Sequence, residues 1–252
     1  MEISGKKAAI VGGASGMARA SAEQLKAKGA SIAILDLPTS AGAEVAKELG
    51  GTFHALDVLD TDQTEQALAD AVEALGGLHI AVNTAGGGIG KRTLTKEGPH
   101  PLDEFRRVID LNLIATFQLN RLQADYMSKN EPEDDERGVI INTASIAAFE
   151  GQIGQVAYAA AKSGIVGMTF TMARDLGSLG IRVTAIAPSL FSTGITQGIP
   201  DEFATMLTKD AAFPKRMGRP EEYGRLAVAI VENPMLNAGT IRLDGGQRFA
   251  PK

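Results

Sequence analysis

The chain has 252 residues, 44% hydrophobic and 22% charged, with a net charge of −5. This is an ordinary globular profile, and its mild acidity argues against nucleic acid as the main partner, because that affinity rests on Lys and Arg neutralising phosphates. The absence of cysteine excludes disulfides, thiolate nucleophiles and Cys-based zinc sites. No apolar run approaches the roughly 18 residues of a membrane span. Residues 1–7 have no long apolar stretch after their charges, so a soluble, cytoplasmic protein is expected.

Short apolar runs alternate with longer helical ones along the chain. Residues 8–11 form the first run and lead straight into glycines. Residues 16–28 then read as a helix that stops at Gly29. A second buried strand at 32–35 precedes a helix at 44–49. Residues 53–56 and 63–75 repeat the cycle. A fourth strand falls at 78–82 and a long helical stretch at 105–127. The fifth strand is 139–142, followed by a long helix at 156–176 and a sixth strand at 183–187. A late helix at 221–231 and a last strand at 240–243 close the pattern.

Strands apolar on both faces, alternating with helices, indicate a parallel sheet covered on both sides. Right-handed crossovers then favour an α/β, doubly wound, Rossmann-like fold: a seven-stranded parallel sheet with helices on both faces. No repeat, linker or composition break divides the chain, so residues 1–252 read as a single domain.

Three segments break the rhythm. Residues 86–101 form a Gly-rich loop carrying Lys91, Arg92 and Lys96. Residues 129–138 are a charged loop, and residues 189–213 are long and mixed after Pro188. Ligands of such folds sit at the carboxyl ends of the strands. The first and third segments begin at that edge. The second precedes a strand and reads as a solvated turn at the opposite edge.

The first strand runs into Val11-Gly12-Gly13-Ala14-Ser15-Gly16-Met17-Ala18. Glycines at 12 and 16 allow a tight turn and a close approach of backbone to a pyrophosphate. A helix starting near Gly16 aims its N-terminal amides at that group. Gly12, Ser15, Gly16 and Met17 are the candidate contacts here. Taken alone, such glycines also suit a plain βα turn.

Asp36 adds weight, because it ends the second strand about 20 residues beyond Gly16, where an acid hydrogen-bonds the adenosine ribose. A carboxylate there repels a 2′-phosphate, and positions 14, 15 and 37 (Ala, Ser, Leu) offer no cation in compensation. NAD(H) is therefore expected over NADP(H). The competing reading is a carboxylate that caps a turn before Pro38. Asp57 and Val58 after the third strand suit the adenine. Thr84, Ala85 and Gly86 after Asn83 suit a cofactor lying against backbone.

Tyr158 and Lys162 are spaced i, i+4 on a helix and share one face. Their neighbours Ala157, Ala159, Ala160, Ala161, Ser163 and Gly164 strip bulk from the surroundings. Interconverting an alcohol and a ketone moves one hydride and one proton. A free Tyr has a pKa of about 10, and bringing it to about 7 takes roughly 4 kcal/mol. A nearby Lys ammonium is expected to supply part of this, and the ring of an oxidised nicotinamide more. Lys162 can also donate to the nicotinamide ribose. Ser145, after the fifth strand, can hold the substrate oxygen. A lone Tyr-x-x-x-Lys occurs on many solvated helices. Here it follows Ser145 and lies downstream of a dinucleotide loop.

Gly12-x-x-x-Gly16, Asn83-Thr84-Ala85-Gly86, Asn112, Ser145, Tyr158-x-x-x-Lys162 and Pro188 together resemble the short-chain dehydrogenase/reductase family over essentially the full length. The resemblance implies that Asn112 is a fourth catalytic residue, in a helix break that positions a proton-relaying water. It implies Pro188, Phe191 and Thr193 at the nicotinamide end, and Gln155 beside Ser145 and Tyr158 as a substrate contact. It also implies a homotetramer built through the two long helices and the C-terminal segment.

Gly138-Val-Ile-Ile-Asn-Thr-Ala-Ser145, Ala148-Phe-Glu-Gly-Gln152, Ala173-Arg-Asp-Leu176, Ile230-Val-Glu-Asn-Pro234 and Ile241-Arg-Leu-Asp-Gly245 look like the short-chain 3-hydroxyacyl-CoA dehydrogenase subgroup. That subgroup overlaps with enzymes called 17β-hydroxysteroid dehydrogenase type ten. The implied substrates are 3-hydroxyacyl-CoA thioesters, with steroid secondary alcohols as an alternative. Lys91, Arg92 and Lys96 can hold CoA phosphates or form a solvated basic loop.

The chain departs from the pattern at Val11, where a Thr is usual, at Ala18 for the third glycine, and at Ser189 after Pro188. The other readings are an NADPH-linked 3-oxoacyl-[acyl carrier protein] or acetoacetyl-CoA reductase, which Asp36 opposes, and a dinucleotide-sensing scaffold, which the intact Ser, Tyr and Lys oppose. His54, His79 and His100 lack metal-ligand spacing, and no metal is expected.

Overall fold

The computed structural model describes residues 1–193 and 201–250, with the side chains of 201–204 left aside. The strands are β1 (Lys7–Val11), β2 (Ser31–Asp36), β3 (Thr52–Ala55), β4 (Ile80–Asn83), β5 (Leu94–Thr95), β6 (Gly98–Pro99), β7 (Gly138–Thr143), β8 (Ile181–Pro188) and β9 (Thr240–Leu243). Seven of them make one sheet in the order β3-β2-β1-β4-β7-β8-β9, and every pairing in it is parallel. The fold is the doubly wound α/β arrangement expected from the apolar runs.

The helices are α1 (Gly16–Ala27), α2 (Gly42–Glu48), α3 (Thr61–Leu75), α4 (Leu102–Ile109), α5 (Ala115–Ser128), α6 (Ala147–Glu150), α7 (Val156–Gly177), α8 (Asp201–Thr208) and α9 (Pro220–Glu232). Alternation along each strand decides which helices it meets. Ala8 and Ile10 of β1, with Ile32, Ile34, Ile80 and Val82, pack against Leu25 of α1, Val45 of α2 and Val228 of α9. Ala9 and Val11, with Ala33, Leu35 and Ala81, pack against Leu68 of α3, Leu119 of α5 and Met172 of α7. Burial on both faces explains why the inner strands read as unbroken apolar runs, whereas the edge strands β3 and β9 are only half-buried.

Helix ends follow local chemistry. Asp60 caps α3 by accepting from the Gln63 amide at 3.0 Å, and Gly76 ends it at φ +70°. Pro220 starts α9, where Glu222 folds back to accept from the Arg219 amide at 2.7 Å.

The structure departs from the sequence expectation in three places. The stretch 105–127 is not one α-helix, because a π-helical turn at Asp110–Ile114 separates α4 from α5. Such a turn adds a residue without ending the apolar pattern, so periodicity does not reveal it. The loop 86–101 contains the antiparallel pair β5–β6, whose two-residue strands are too short to show alternation. The segment 189–213 contains α8, and its part at 194–200 lies outside the described residues. The charged loop 129–138 is a largely exposed turn closed by a Glu133–Glu136 bridge, at the edge away from the strands' carboxyl ends.

Candidate active site

The chain reverses its direction across the sheet between β1 and β4, and a crevice opens there at the carboxyl ends. It has a volume of about 470 Å³. Gly12, Ser15, Gly16 and Met17 line it from the first turn, Asp36 from β2, Asp57 and Val58 from beyond β3, and Thr84, Ala85 and Gly86 from beyond β4. Thr193 closes one side. Arg107 and Leu111 also line the cleft and were not singled out in the sequence. Nothing in a helical stretch says which of its turns will face a cleft formed by distant loops.

The first turn is shaped for a close ligand. Gly12 has φ +80°, and a Cβ there would stand 2.7 Å from the Thr84 hydroxyl oxygen. No other residue fits without moving β4. The Thr84 hydroxyl donates to the Val11 carbonyl at 3.1 Å, which ties the turn after β4 to the end of β1. Ser15 makes no side-chain cap, and the first turn of α1 has no acidic residue. The positive helix end is left facing the cleft, a donor set that suits a pyrophosphate.

Asp36 is fixed by two backbone amides. Its Oδ2 accepts from Ala14 at 2.9 Å and its Oδ1 from Leu37 at 2.7 Å. Each oxygen keeps acceptor capacity for a ribose hydroxyl. Asp57 likewise accepts from the Leu59 amide at 3.0 Å.

The second cluster lies beside Gly86. Tyr158 and Lys162 project from the same face of α7, with the Lys162 ammonium 5.5 Å from the centre of the Tyr158 ring. Ser145 hydrogen-bonds the Tyr158 phenol. Its oxygen also accepts from the Ala147 amide at 3.1 Å, which holds it at the start of α6. Lys162 is buried and donates to the Thr143 carbonyl at 2.9 Å.

Asn112 sits inside the π-helical turn and is fully buried. Its Oδ1 accepts from Gly87 N at 3.1 Å, and its Nδ2 donates to Gly87 O at 2.6 Å and to Val108 O at 2.8 Å. The side chain is thus a clamp on the glycine loop. The turn itself packs closely on α7, where a Cβ at Gly164 would meet Leu113 at 2.7 Å. Gly88 roofs the site, since a Cβ there would stand 2.8 Å from the Tyr158 ring. Gly88 was missed in the sequence, where one glycine among several carries no address.

The electrostatics correct one expectation. The protein alone does not bring Tyr158 toward neutrality. Burial raises the phenol above its ordinary value, and the Ser145 hydrogen bond offsets only part of this. Burial also lowers the Lys162 ammonium to about 8. The cation is turned toward the Thr143 carbonyl rather than the phenol oxygen, so desolvation wins over attraction.

Three of the remaining expected residues are not among those lining this cleft. Pro188 is buried as the last residue of β8, and the buried Phe191 ring packs on Gly218, where a Cβ would be 2.5 Å away. Gln155 lines a separate cavity of about 460 Å³ between residues 91–94 and 151–156. Among the described residues no group of three or more His, Cys, Asp or Glu can hold a metal, and no helix is long and apolar enough to cross a membrane.

The family model for short chain dehydrogenases matches residues 6–203. The 3-hydroxyacyl-CoA dehydrogenase type-2 of Homo sapiens is 48% identical over 254 residues, covering 99% of this chain and 97% of that protein. That of Drosophila melanogaster is 48% identical over 247 residues, covering 96% and 97%. The crystal structure of the same-named protein from Mycobacterium avium superposes with a TM-score of 0.93 at 40% identity, covering 98% of both chains. The chain belongs to the short-chain dehydrogenase family, as an oxidoreductase of CH–OH groups that works with a nicotinamide dinucleotide.

Proposed function

We propose that the chain, as a single catalytic domain of residues 1–252, interconverts 3-hydroxyacyl-CoA and 3-oxoacyl-CoA thioesters with NAD(H). The observation that carries this reading is the adjacency of an Asp36-bearing dinucleotide cleft to a Ser145, Tyr158 and Lys162 set whose lysine is buried. Asp36 supports NAD(H) because a second anion beside its carboxylate would be repelled, and among the residues lining that end of the cleft Leu37 carries no charge. The names of the relatives support the thioester substrate. So does the 460 Å³ cavity that Gln155 lines, with Leu94, Ile153, Val156 and Ala159 for an acyl chain and Lys91 and Arg92 beside them.

A bound oxidised nicotinamide would supply the acceptor for the hydride leaving the carbinol carbon. The chain's residues handle the proton. Ser145 donates to the substrate oxygen, Tyr158 as phenolate takes the hydroxyl proton, and Lys162 stabilises that phenolate and donates to the nicotinamide ribose. In the reverse direction the phenol is the acid, and its raised value keeps it protonated at neutral pH. Asn112 holds the loop against which the cofactor lies.

The exposed Ile114 just before α5, Phe117 within it, and Phe170 on α7 support a homotetramer joined through these helices. The cytoplasmic placement expected from composition belongs to the same proposal.

The test is a panel of 3-hydroxyacyl-CoA thioesters and small secondary alcohols, followed by NAD reduction, with Tyr158→Phe as control. Tyr158→Phe is expected to lower kcat by roughly 10²- to 10⁴-fold. Wild-type oxidation is expected to rise with pH, because the phenolate must form. Full activity in the variant would sink the mechanism.

A further inference from the structure

The bond that holds Lys162 has a history on the far side of the sheet. Its acceptor, Thr143, is the last residue of β7. The Thr143 hydroxyl lies 2.7 Å from the Asn83 carbonyl and 2.8 Å from the Tyr223 phenol oxygen. A carbonyl only accepts, and a threonine hydroxyl has one proton to give. Thr143 therefore donates to Asn83, and Tyr223 donates to Thr143. Burial raises Tyr223 well above the ordinary tyrosine value, so this donor stays protonated across the working pH range.

Tyr223 belongs to α9, is fully buried, and lines no part of the cleft. Its helix is held closely to α1, since a Cβ at the next residue, Gly224, would meet the Ala20 carbonyl at 2.8 Å. A Phe at 223 would fill the same volume without a polar atom to satisfy. The hydroxyl instead completes a directed chain from α9 through Thr143 to β4. That chain pins the end of β7, and the Thr143 carbonyl there is the acceptor that the structure shows for the Lys162 ammonium.

We propose that Tyr223 is a positioning residue for Lys162, acting through Thr143. It touches neither the cleft nor the reacting atoms. The catalytic consequence rests on the role given above to Tyr158 and Lys162. Besides the Thr143 carbonyl, the ammonium faces the Gly86 backbone and the Tyr158 ring, and burial is the single cause of its lowered value. Removing the Tyr223 donor loosens Thr143 and weakens a hydrogen bond made to the charged form of Lys162, which lowers that group further.

The first measurement needs no substrate. In protein labelled with [ε-¹³C]lysine, the Lys162 resonance is assigned by its loss in Lys162→Met. Its titration midpoint is expected at lower pH in Tyr223→Phe than in wild type, and an unchanged midpoint overturns the proposal. The second measurement is kinetic. Tyr223→Phe is expected to lower kcat about fivefold, the equivalent of one hydrogen bond of ~1 kcal/mol, with KM changed less than about twofold.

The acid limb of the oxidation profile is expected to move to higher pH, because the phenolate loses support. Thr143→Val is expected to lower kcat at least as much, with Tyr223→Phe adding nothing in the double variant, while Thr143→Ser keeps wild-type behaviour. Losses that multiply in the double variant, or a lower melting temperature with wild-type kcat and pH profile, would show a purely structural tyrosine. If wild type turns over and Tyr158→Phe does not, a silent Tyr223→Phe refutes this inference alone. If no variant of Tyr158 matters, the reaction reading fails, and the titration still decides the role of Tyr223.

Discussion

The Asp36 carboxylate reaches back across the first turn and accepts from the Ala14 amide at 2.9 Å. One side chain therefore both shapes the glycine loop and presents charge to the cleft. Asp36→Ala is expected to lower kcat/KM for NAD about 10- to 100-fold, the range of a lost charge-assisted hydrogen bond. NADP should lose far less, because a repulsive charge goes with the bond. The ratio of the two kcat/KM values, in variant and wild type, is the measurement. A wild type that already prefers NADPH would overturn the cofactor assignment.

Gly88 bears on the Tyr158 ring with room for no Cβ, at 2.8 Å. Gly88→Ala must displace either the loop or the phenol. The loop is tethered by Asn112 through Gly87 at 2.6 and 3.1 Å, so the ring is expected to give way. A kcat loss of about tenfold or more is expected, since small misplacements at a reacting centre are costly. Circular dichroism and melting temperature should stay close to wild type. Unchanged kcat would mean that the roof has no part in orienting Tyr158.

Lys162 carries a pH signature in stability. Burial lowers it to about 8 in the folded protein, below the ordinary lysine value of 10.5. Between those values the unfolded chain binds more protons, so folding is favoured as pH rises. The cost of burying the ammonium is fully present below pH 8 and fades toward 10.5. Relative to Lys162→Met, wild type should therefore gain up to ~3 kcal/mol of unfolding free energy across that window. Denaturant titrations of both proteins at pH 7 and pH 10 provide the test. A parallel pH dependence would show that burial does not lower the Lys162 ammonium in the folded protein.

The basic loop is expected to separate two substrate classes. Lys91 is already paired with Glu104 at 2.8 Å, whereas Arg92 and Lys96 are exposed. Replacing all three by Ala should lower kcat/KM for acetoacetyl-CoA about tenfold and leave a small neutral ketone unaffected, since only the thioester brings phosphates to neutralise. Higher salt should narrow the difference between wild type and variant. Equal losses for both substrates would show that the loop is not a CoA clamp.

Much of this protein was determined by local pattern. The five inner strands were legible because burial on both faces leaves unbroken apolar runs such as 8–11 and 32–35. Gly12, Asp36, Tyr158 and Lys162 were legible because each stands at a fixed offset from a strand end or helix turn. Tertiary structure alone decided what needed two distant segments to meet. It placed Arg107 and Leu111 on the cleft, Gly88 over the Tyr158 ring, and the Phe191 ring against Gly218. It also reversed the expected balance at Tyr158. Spacing put an ammonium one turn away, but burial and the direction of that ammonium toward Thr143 are set by how α7 packs on β7, and no periodicity records them.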